Sequence, residues 1–443
     1  MKKKENLSDG IYDAAVLGKP KMLILGIQHL FAMFGATVLV PILTGLDIST
    51  TLLFAGLGTL LFHLLTKGKI PAFLGSSFAF LAGYAAVANK DPELLPYACF
   101  AVAVSGILYA VLAALIRGFG IRRVMRFFPP IVTGPVIISI GLTLSSSAIS
   151  NCSSNWLIAS SAILIVIIAN MWGKGMIKII PILLGVIGSY LLAVAIDPAA
   201  RHNVAEAFSE AAWIGLPIHF EATVFGLFAG DVDSGILISA VVTIVPLAIA
   251  TMVEHIGDIC AISSTCKKNY VENPGLHRSL LGDGIATALA ALFGAPANTT
   301  YGENTGVLAL SKVYDPKVIR IAAVFAVLLS FFPKFAALIS AMPVATIGGV
   351  SLILYGMISA IGVRNVVENK VDFSNTRNVI IAALILVLSI GINYSGNIQI
   401  GIISLSGLAV ASIVGILLNA ILPGKDYEFG KDEQGDTAVN FKV

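Results

Sequence analysis

Charged side chains are scarce in this sequence: Asp, Glu, Lys and Arg together make up 12% of its 443 residues, against roughly 25% in soluble domains. A surface that faces water on all sides is thereby excluded. Cysteine is nearly absent as well. The thiols Cys99, Cys152, Cys260 and Cys266 show neither a paired framework nor a metal-ligand spacing with His, which argues against a disulfide scaffold or a zinc module and leaves buried thiols. The sequence also has no nucleophile elbow and no phosphate loop, so enzyme chemistry of those kinds has no carrier. Its net charge of +3 implies no nucleic-acid face.

What the chain has in abundance is apolar surface, 57% hydrophobic residues with a mean hydropathy of +0.91. Such a chain is solvated by lipid. Fourteen runs of bilayer-crossing length, about 17 to 25 residues, fall at 22–42, 50–66, 70–88, 94–116, 127–148, 156–172, 176–196, 235–257, 278–293, 294–311, 317–332, 335–358, 376–394 and 400–422. Lys and Arg positions test this count, because cytoplasmic loops carry the excess of positive charge and an even span number returns both termini to one side. Of the 28 Lys and Arg residues, all but Lys90, Arg201 and Lys334 fall on the side of Met1, so both termini are expected in the cytoplasm. The start has no small-residue cleavage site and is expected to be retained.

Polar groups at membrane depth need partners and mark functional positions. The first span contains Gln28 and His29. In the third, Pro71, Gly75 and the pair Ser76-Ser77 weaken a continuous helix, so it reads as an extended piece followed by a short helix, with backbone groups free to meet a ligand. The stretch PANTTYGENTG at 296–306 reads as a second broken segment, and Glu303 inside it has no Lys or Arg to match it. Span eight carries Glu254 and Asp258 four residues apart, on one helix face. Two carboxylates sharing a dehydrated site cannot both ionise cheaply, which makes a proton-binding site, with His255 beside it. Two alternatives stay open here. Asp258 could simply end the span in interfacial water, and Asp283 could pack against the polar face of span eight rather than take part in coupling.

The hydrophilic stretch 197–234 divides the chain into halves of seven spans. Gln28-His29 in one half is answered by Glu254-His255 in the other, and Phe78 lies 50 residues after Gln28 much as Tyr301 lies 47 after Glu254. Halves with an odd number of spans have opposite topology, the arrangement in which two interrupted segments meet at the midplane. The expected fold is an all-α polytopic membrane protein of fourteen segments in two inverted seven-span repeats, with short extended segments in spans three and ten.

At these residues the chain resembles a known family. QHLFAMFG at 28–35, GSSFAF at 75–80, EHIG at 254–257, PGLHRS at 274–279 and NTTYGEN at 298–304 are similar to the motifs of nucleobase-ascorbate transporters, most closely the uracil-transporting branch. The resemblance implies a core domain of 22–116 and 235–332, a gate domain of 117–196 and 333–422, an extracellular connection at 197–234, and cytoplasmic tails at 1–21 and 423–443. It implies a plasma-membrane symporter for uracil or a related nucleobase, coupled to a proton, without cofactor or metal, dimeric through its gate domains. Carried over by position, it makes Glu254 and Glu303 the side-chain ligands of the ring, gives Phe78 and Gly302 backbone contacts, and places His29 near the substrate and Tyr355 on the facing gate domain. Tyr301 and Ser77 complete the expected substrate site, and on the carboxylate chemistry above Glu254, Asp258, His255 and Asp283 are put forward for the proton. The chemistry is reasonable by itself, since uracil offers two ring N–H donors to carboxylates and two carbonyls to free backbone N–H groups. Glu303 favours uracil over a xanthine or urate permease, in which Gln is usual. Asp258 instead resembles the purine branch, because uracil permeases can carry His there. An anion channel or exchanger of related fold would call for a substrate-facing cation in place of these carboxylates.

Overall fold

The computed structural model describes residues 10–126, 128–400 and 403–424. Residues 1–9 of the expected tail 1–21 and residues 425–443 of the tail 423–443 lie outside them. The chain begins with α1 (Lys19–Thr44), α2 (Ile48–Leu65), strand β1 (Leu74–Ser76), the short α3 (Leu81–Val87), α4 (Leu95–Phe119) and α5 (Ile121–Met125). Next come α6 (Pro130–Cys152), α7 (Trp156–Trp172), α8 (Met176–Ile179) and α9 (Pro181–Ile196). After α10 (Pro198–Glu210) and α11 (Val224–Phe228), α12 (Ser234–Ile244) runs through a 3-10 turn into α13 (Ala248–Thr265). The second half continues with α14 (Leu276–Leu292), β2 (Asn298–Thr300), α15 (Gly302–Ser311), α16 (Pro316–Ser330), α17 (Pro333–Ser340) and α18 (Val344–Glu368). It closes with α19 (Thr376–Ser395), the hairpin β3 (Ile398–Ile400) and β4 (Ile403–Leu405), and α20 (Gly407–Ile421).

Among the described residues, seven helices are long and apolar enough to cross a membrane, and up to nine segments qualify when two bent helix pairs are each taken as one span. The protein is therefore a multi-pass membrane protein. Both expected broken segments are extended where the sequence placed them, β1 before the short α3 and β2 before the ten-residue α15.

Four boundaries differ from expectation. Span eight does not end near 257 but continues as helix to Thr265, so Asp258 lies within the helix; Glu254, His255 and Asp258 lower hydropathy without breaking helical hydrogen bonding. The run expected at 335–358 is two elements, because Pro333 starts α17 at 85° to α16 and α18 begins only at Val344. The hydrophilic connection contains α10, bent by 110° from α9. The last expected run, 400–422, opens with the β3–β4 hairpin, so that the all-α expectation missed one further sheet.

Packing follows small residues, as it does where apolar helices cross in lipid. Helix α4 crosses α14 at a pair of glycines: a Cβ on Gly106 would lie 2.5 Å from the Gly284 carbonyl, and one on Gly284 would strike the Cβ of Tyr109. Similar close crossings join α2 to α16 and α6 to α18. An N-terminal strap docks at one end of the molecule: Ile11 N–H donates to the Lys312 carbonyl at 2.8 Å, Tyr314 N–H donates to the Ile11 carbonyl at 2.7 Å, and the Tyr12 hydroxyl donates to the Cys266 carbonyl at 2.8 Å. The strap thus touches the ends of both α13 and α15.

Candidate functional site

Strands β1 and β2 pair antiparallel, Leu74 opposite Thr300, Gly75 opposite Thr299 and Ser76 opposite Asn298. Ser77 N–H to the Ala297 carbonyl at 2.8 Å and Tyr301 N–H to the Phe73 carbonyl at 3.1 Å extend the ladder at both ends. A two-stranded ribbon inside a membrane leaves outer-edge N–H and C=O groups that no water reaches. Side chains of the surrounding helices meet them. The Thr59 hydroxyl accepts from Leu74 N–H at 2.9 Å and donates to the Leu74 carbonyl at 3.2 Å. Thr287 donates to the Asn298 carbonyl at 2.9 Å and the Tyr301 hydroxyl to the Ser76 carbonyl at 2.7 Å, while the Ser76 hydroxyl itself donates to the backbone carbonyl of Thr37 at 3.1 Å. His63 holds the approach to β1 through Nε2, 2.9 Å from the Ala72 carbonyl.

Helix α15 starts directly after β2. Its cap residue, Tyr301, has extended backbone and makes no side-chain cap hydrogen bond, so the first N–H groups of the helix lack the usual internal satisfaction. Glu303 is in that first turn and is half-buried. Gly302 is exposed, and a Cβ built on it would find only Asp258 Oδ1, at 3.9 Å. Asp258 is fixed from β2, because the Thr300 hydroxyl donates to its Oδ2 at 2.7 Å. Glu254, one turn away on α13, is half-buried and interacts electrostatically with Glu303 and Asp283. Asp258 feels all three of these carboxylates.

Neither Lys nor Arg occurs at 248–266 or 279–311, and the basic side chain these segments bring to the cluster is a histidine. His255 Nδ1 lies 2.8 Å from Asp283 Oδ2, both side chains fully buried. His255 therefore faces Asp283 rather than Glu254, which tightens the join between α13 and α14. Among the described residues, no group of three His, Cys, Asp or Glu side chains is arranged to hold a metal ion.

The remaining expected site residues divide into two groups. Phe78 is half-buried at the turn between β1 and α3, and Ser77 is buried with its hydroxyl unpartnered among the described residues. His29 is buried on α1 and linked to α15: the Asn304 amide donates to its carbonyl at 3.0 Å and lies 3.2 Å from its Nδ1. Tyr355 sits apart on α18, 3% exposed, with its hydroxyl turned to Ser351 and Ser147. Met357 is the residue of that helix lining the cavity beside Glu303. This cavity, of about 580 Å³, is bounded by Phe31 and Gly35 of α1, by Glu303, Gly306 and Leu310 of α15, and by Asn170, Lys178 and Ile180 opposite. Thr300, Asn304 and Lys178 were not picked out from the sequence, although the first two lie inside the NTTYGEN motif.

Broken helices meeting over carboxylates, inside a bundle of membrane-crossing helices, define a membrane transport protein by class. The chain belongs to the nucleobase-ascorbate transporter family, since the family model described as "Permease family" matches residues 20–398. It is a permease and not an enzyme. The uracil permease of Bacillus caldolyticus is 41% identical over 427 residues, covering 94% of each chain. That of Bacillus subtilis is 40% identical over 433 residues, covering 94% of this chain and 95% of the other, and that of Escherichia coli K12 is 36% identical over 408 residues, covering 90% of each. In fold, the chain is similar to SLC26A9, with a TM-score of 0.64 at 12% identity over 94% of this chain and 66% of that one. It is also similar to the transmembrane domain of the cyanobacterial bicarbonate transporter BicA, with a TM-score of 0.55 at 15% identity over 93% of this chain and 99% of that one.

Proposed function

We propose that this permease imports uracil together with a proton. The observation that carries the reading is Glu303, placed in the first turn of an uncapped half-helix beside Glu254: carboxylates accept the ring N–H groups while helix-end N–H groups meet a carbonyl. The names of relatives at 36% to 41% identity over about 90% of the chain support the same substrate. A proton neutralises Glu254 or its neighbour Asp258, uracil binds over Glu303, and the assembly moves with one bare anion fewer to carry through the apolar barrier. Release follows deprotonation.

In this reading the fourteen spans form two inverted repeats, both termini are cytoplasmic, and the strap marks the cytoplasmic end. The packing of α2 on α16 and α4 on α14, separate from that of α6 on α18 and α7 on α9, supports a core that carries the site and a gate that faces it. The gate faces also join two copies in a homodimer, and no cofactor takes part. Purine transport is the alternative that Asp258 favours. Anion transport has only fold similarity behind it.

Purified protein in proteoliposomes with an imposed pH gradient tests this. Labelled uracil is expected to accumulate, to be displaced by unlabelled uracil better than by xanthine, urate or thymine, and to be lost with protonophore. Accumulation indifferent to the gradient would make the protein a facilitator, and stronger competition by xanthine or urate would transfer the assignment to purines.

A further inference from the structure

The cavity beside Glu303 is lined by two charged side chains, one on each wall. Glu303 stands on α15, and Lys178 stands opposite on α8, the short helix between α7 and α9. Most of the remaining lining is apolar, including Phe31, Ile180, Leu310 and Met357. Glu303 is half-buried and Lys178 is exposed, so the cavity runs from a partly desolvated anion to a solvent-accessible cation. A pyrimidine nucleobase has the matching polarity, with N–H donors for a carboxylate and carbonyl acceptors that a carboxylate repels. A carbonyl left without a donor in an apolar cavity is costly. The flexible stem of Lys178 presents the cationic donor that can follow the carbonyl edge as the ring moves away from Glu303.

We propose that Lys178 is a specificity-determining residue acting on one side of the membrane only, contacting the carbonyl edge of the nucleobase between Glu303 and the end of the molecule that carries the N-terminal strap. The sidedness comes from the position of α8: its Met176 shares a second cavity, of about 410 Å³, with strap residues Ile11 and Leu17. That second cavity supplies a control. Lys21 lines it, but no carboxylate does, so Lys21 lacks the opposing charge that orients a ring.

The inference rests on the nucleobase-transport reading, and the test separates the two. Uracil transport is measured in right-side-out and inside-out vesicles for the wild type, Lys178→Met, Lys178→Arg and Lys21→Met. For Lys178→Met the KM from the strap side is expected to rise about tenfold, the scale of one hydrogen bond to a charged group, with the KM from the opposite side unchanged and the strap-side kcat rising relative to the opposite-side kcat by the same factor. Lys178→Arg is expected to restore most of the loss, and Lys21→Met to match the wild type. An unchanged strap-side KM in Lys178→Met overturns the proposal. So does an equal rise from both sides, which would mean general damage to the carrier. Absence of uracil transport by the wild type would instead overturn the functional reading beneath it.

Discussion

Thr300→Val probes the link between the strand pair and the coupling carboxylate with little other disturbance. Valine keeps the β-branched shape that suits extended backbone and replaces only the hydroxyl by a methyl group. What disappears is the 2.7 Å bond to Asp258 Oδ2. A hydrogen bond to a charged group contributes about 1.5–3 kcal/mol. Because Asp258 is only half-buried, water can reach the vacated oxygen, which puts the loss near the lower end, about 1.5 kcal/mol or tenfold. The assay is uracil accumulation in proteoliposomes under an imposed pH gradient, with Thr300→Ser alongside. Accumulation is expected to fall about tenfold in the valine variant and to stay near the wild type in the serine variant. Full accumulation by Thr300→Val would refute a role for the bond. Equal loss in both variants would show that the shape of the side chain matters and the hydroxyl does not.

Glu303→Gln is expected to weaken uracil binding by about 1–3 kcal/mol, since the amide still accepts a hydrogen bond but without charge assistance; an isothermal titration giving wild-type affinity would remove Glu303 from the site. Gly302→Val should abolish uracil-dependent thermal stabilisation while elution from a sizing column stays unchanged, because the new side chain enters open space beside Asp258, its Cβ 3.9 Å from the nearest atom. Gly284→Ala should lower the melting temperature in detergent, since its Cβ meets that of Tyr109 across the α4–α14 crossing and overpacking of this kind costs about 1–3 kcal/mol.

The break in each half was legible because its causes are local: Pro71, Gly75 and a Ser pair in one segment, and Pro296 with Gly302 in the other. The Glu254–Asp258 pairing was legible for a similar reason, since a spacing of four fixes one helix face. Contacts between distant segments were not. Nothing in the spacing says that Thr300 reaches Asp258, that Asn304 reaches back to His29, or that His255 turns to Asp283. The end of span eight was misplaced because hydropathy falls at Glu254, His255 and Asp258 while helical hydrogen bonding continues to Thr265. Lys178 passed as one more orienting loop cation, and only the fold places it across a cavity from Glu303.

The chain is poor in polar side chains, and where it places them follows from the cost of extended backbone in lipid. Each strand edge in the β1–β2 pair needs donors and acceptors that a helix would have supplied internally, and the hydroxyls of Thr59, Thr287 and Tyr301 meet backbone groups of the ribbon. With these edge groups satisfied by Thr59 of α2, Thr287 of α14 and the cap residue Tyr301, the backbone groups turned to the site are those at the start of α15, beside Glu303. A single continuous helix across this region would have left no such groups. The threonines therefore matter to the site without touching a ligand: they let the break exist at this depth, and the break is what turns a half-helix end and a carboxylate toward the same space.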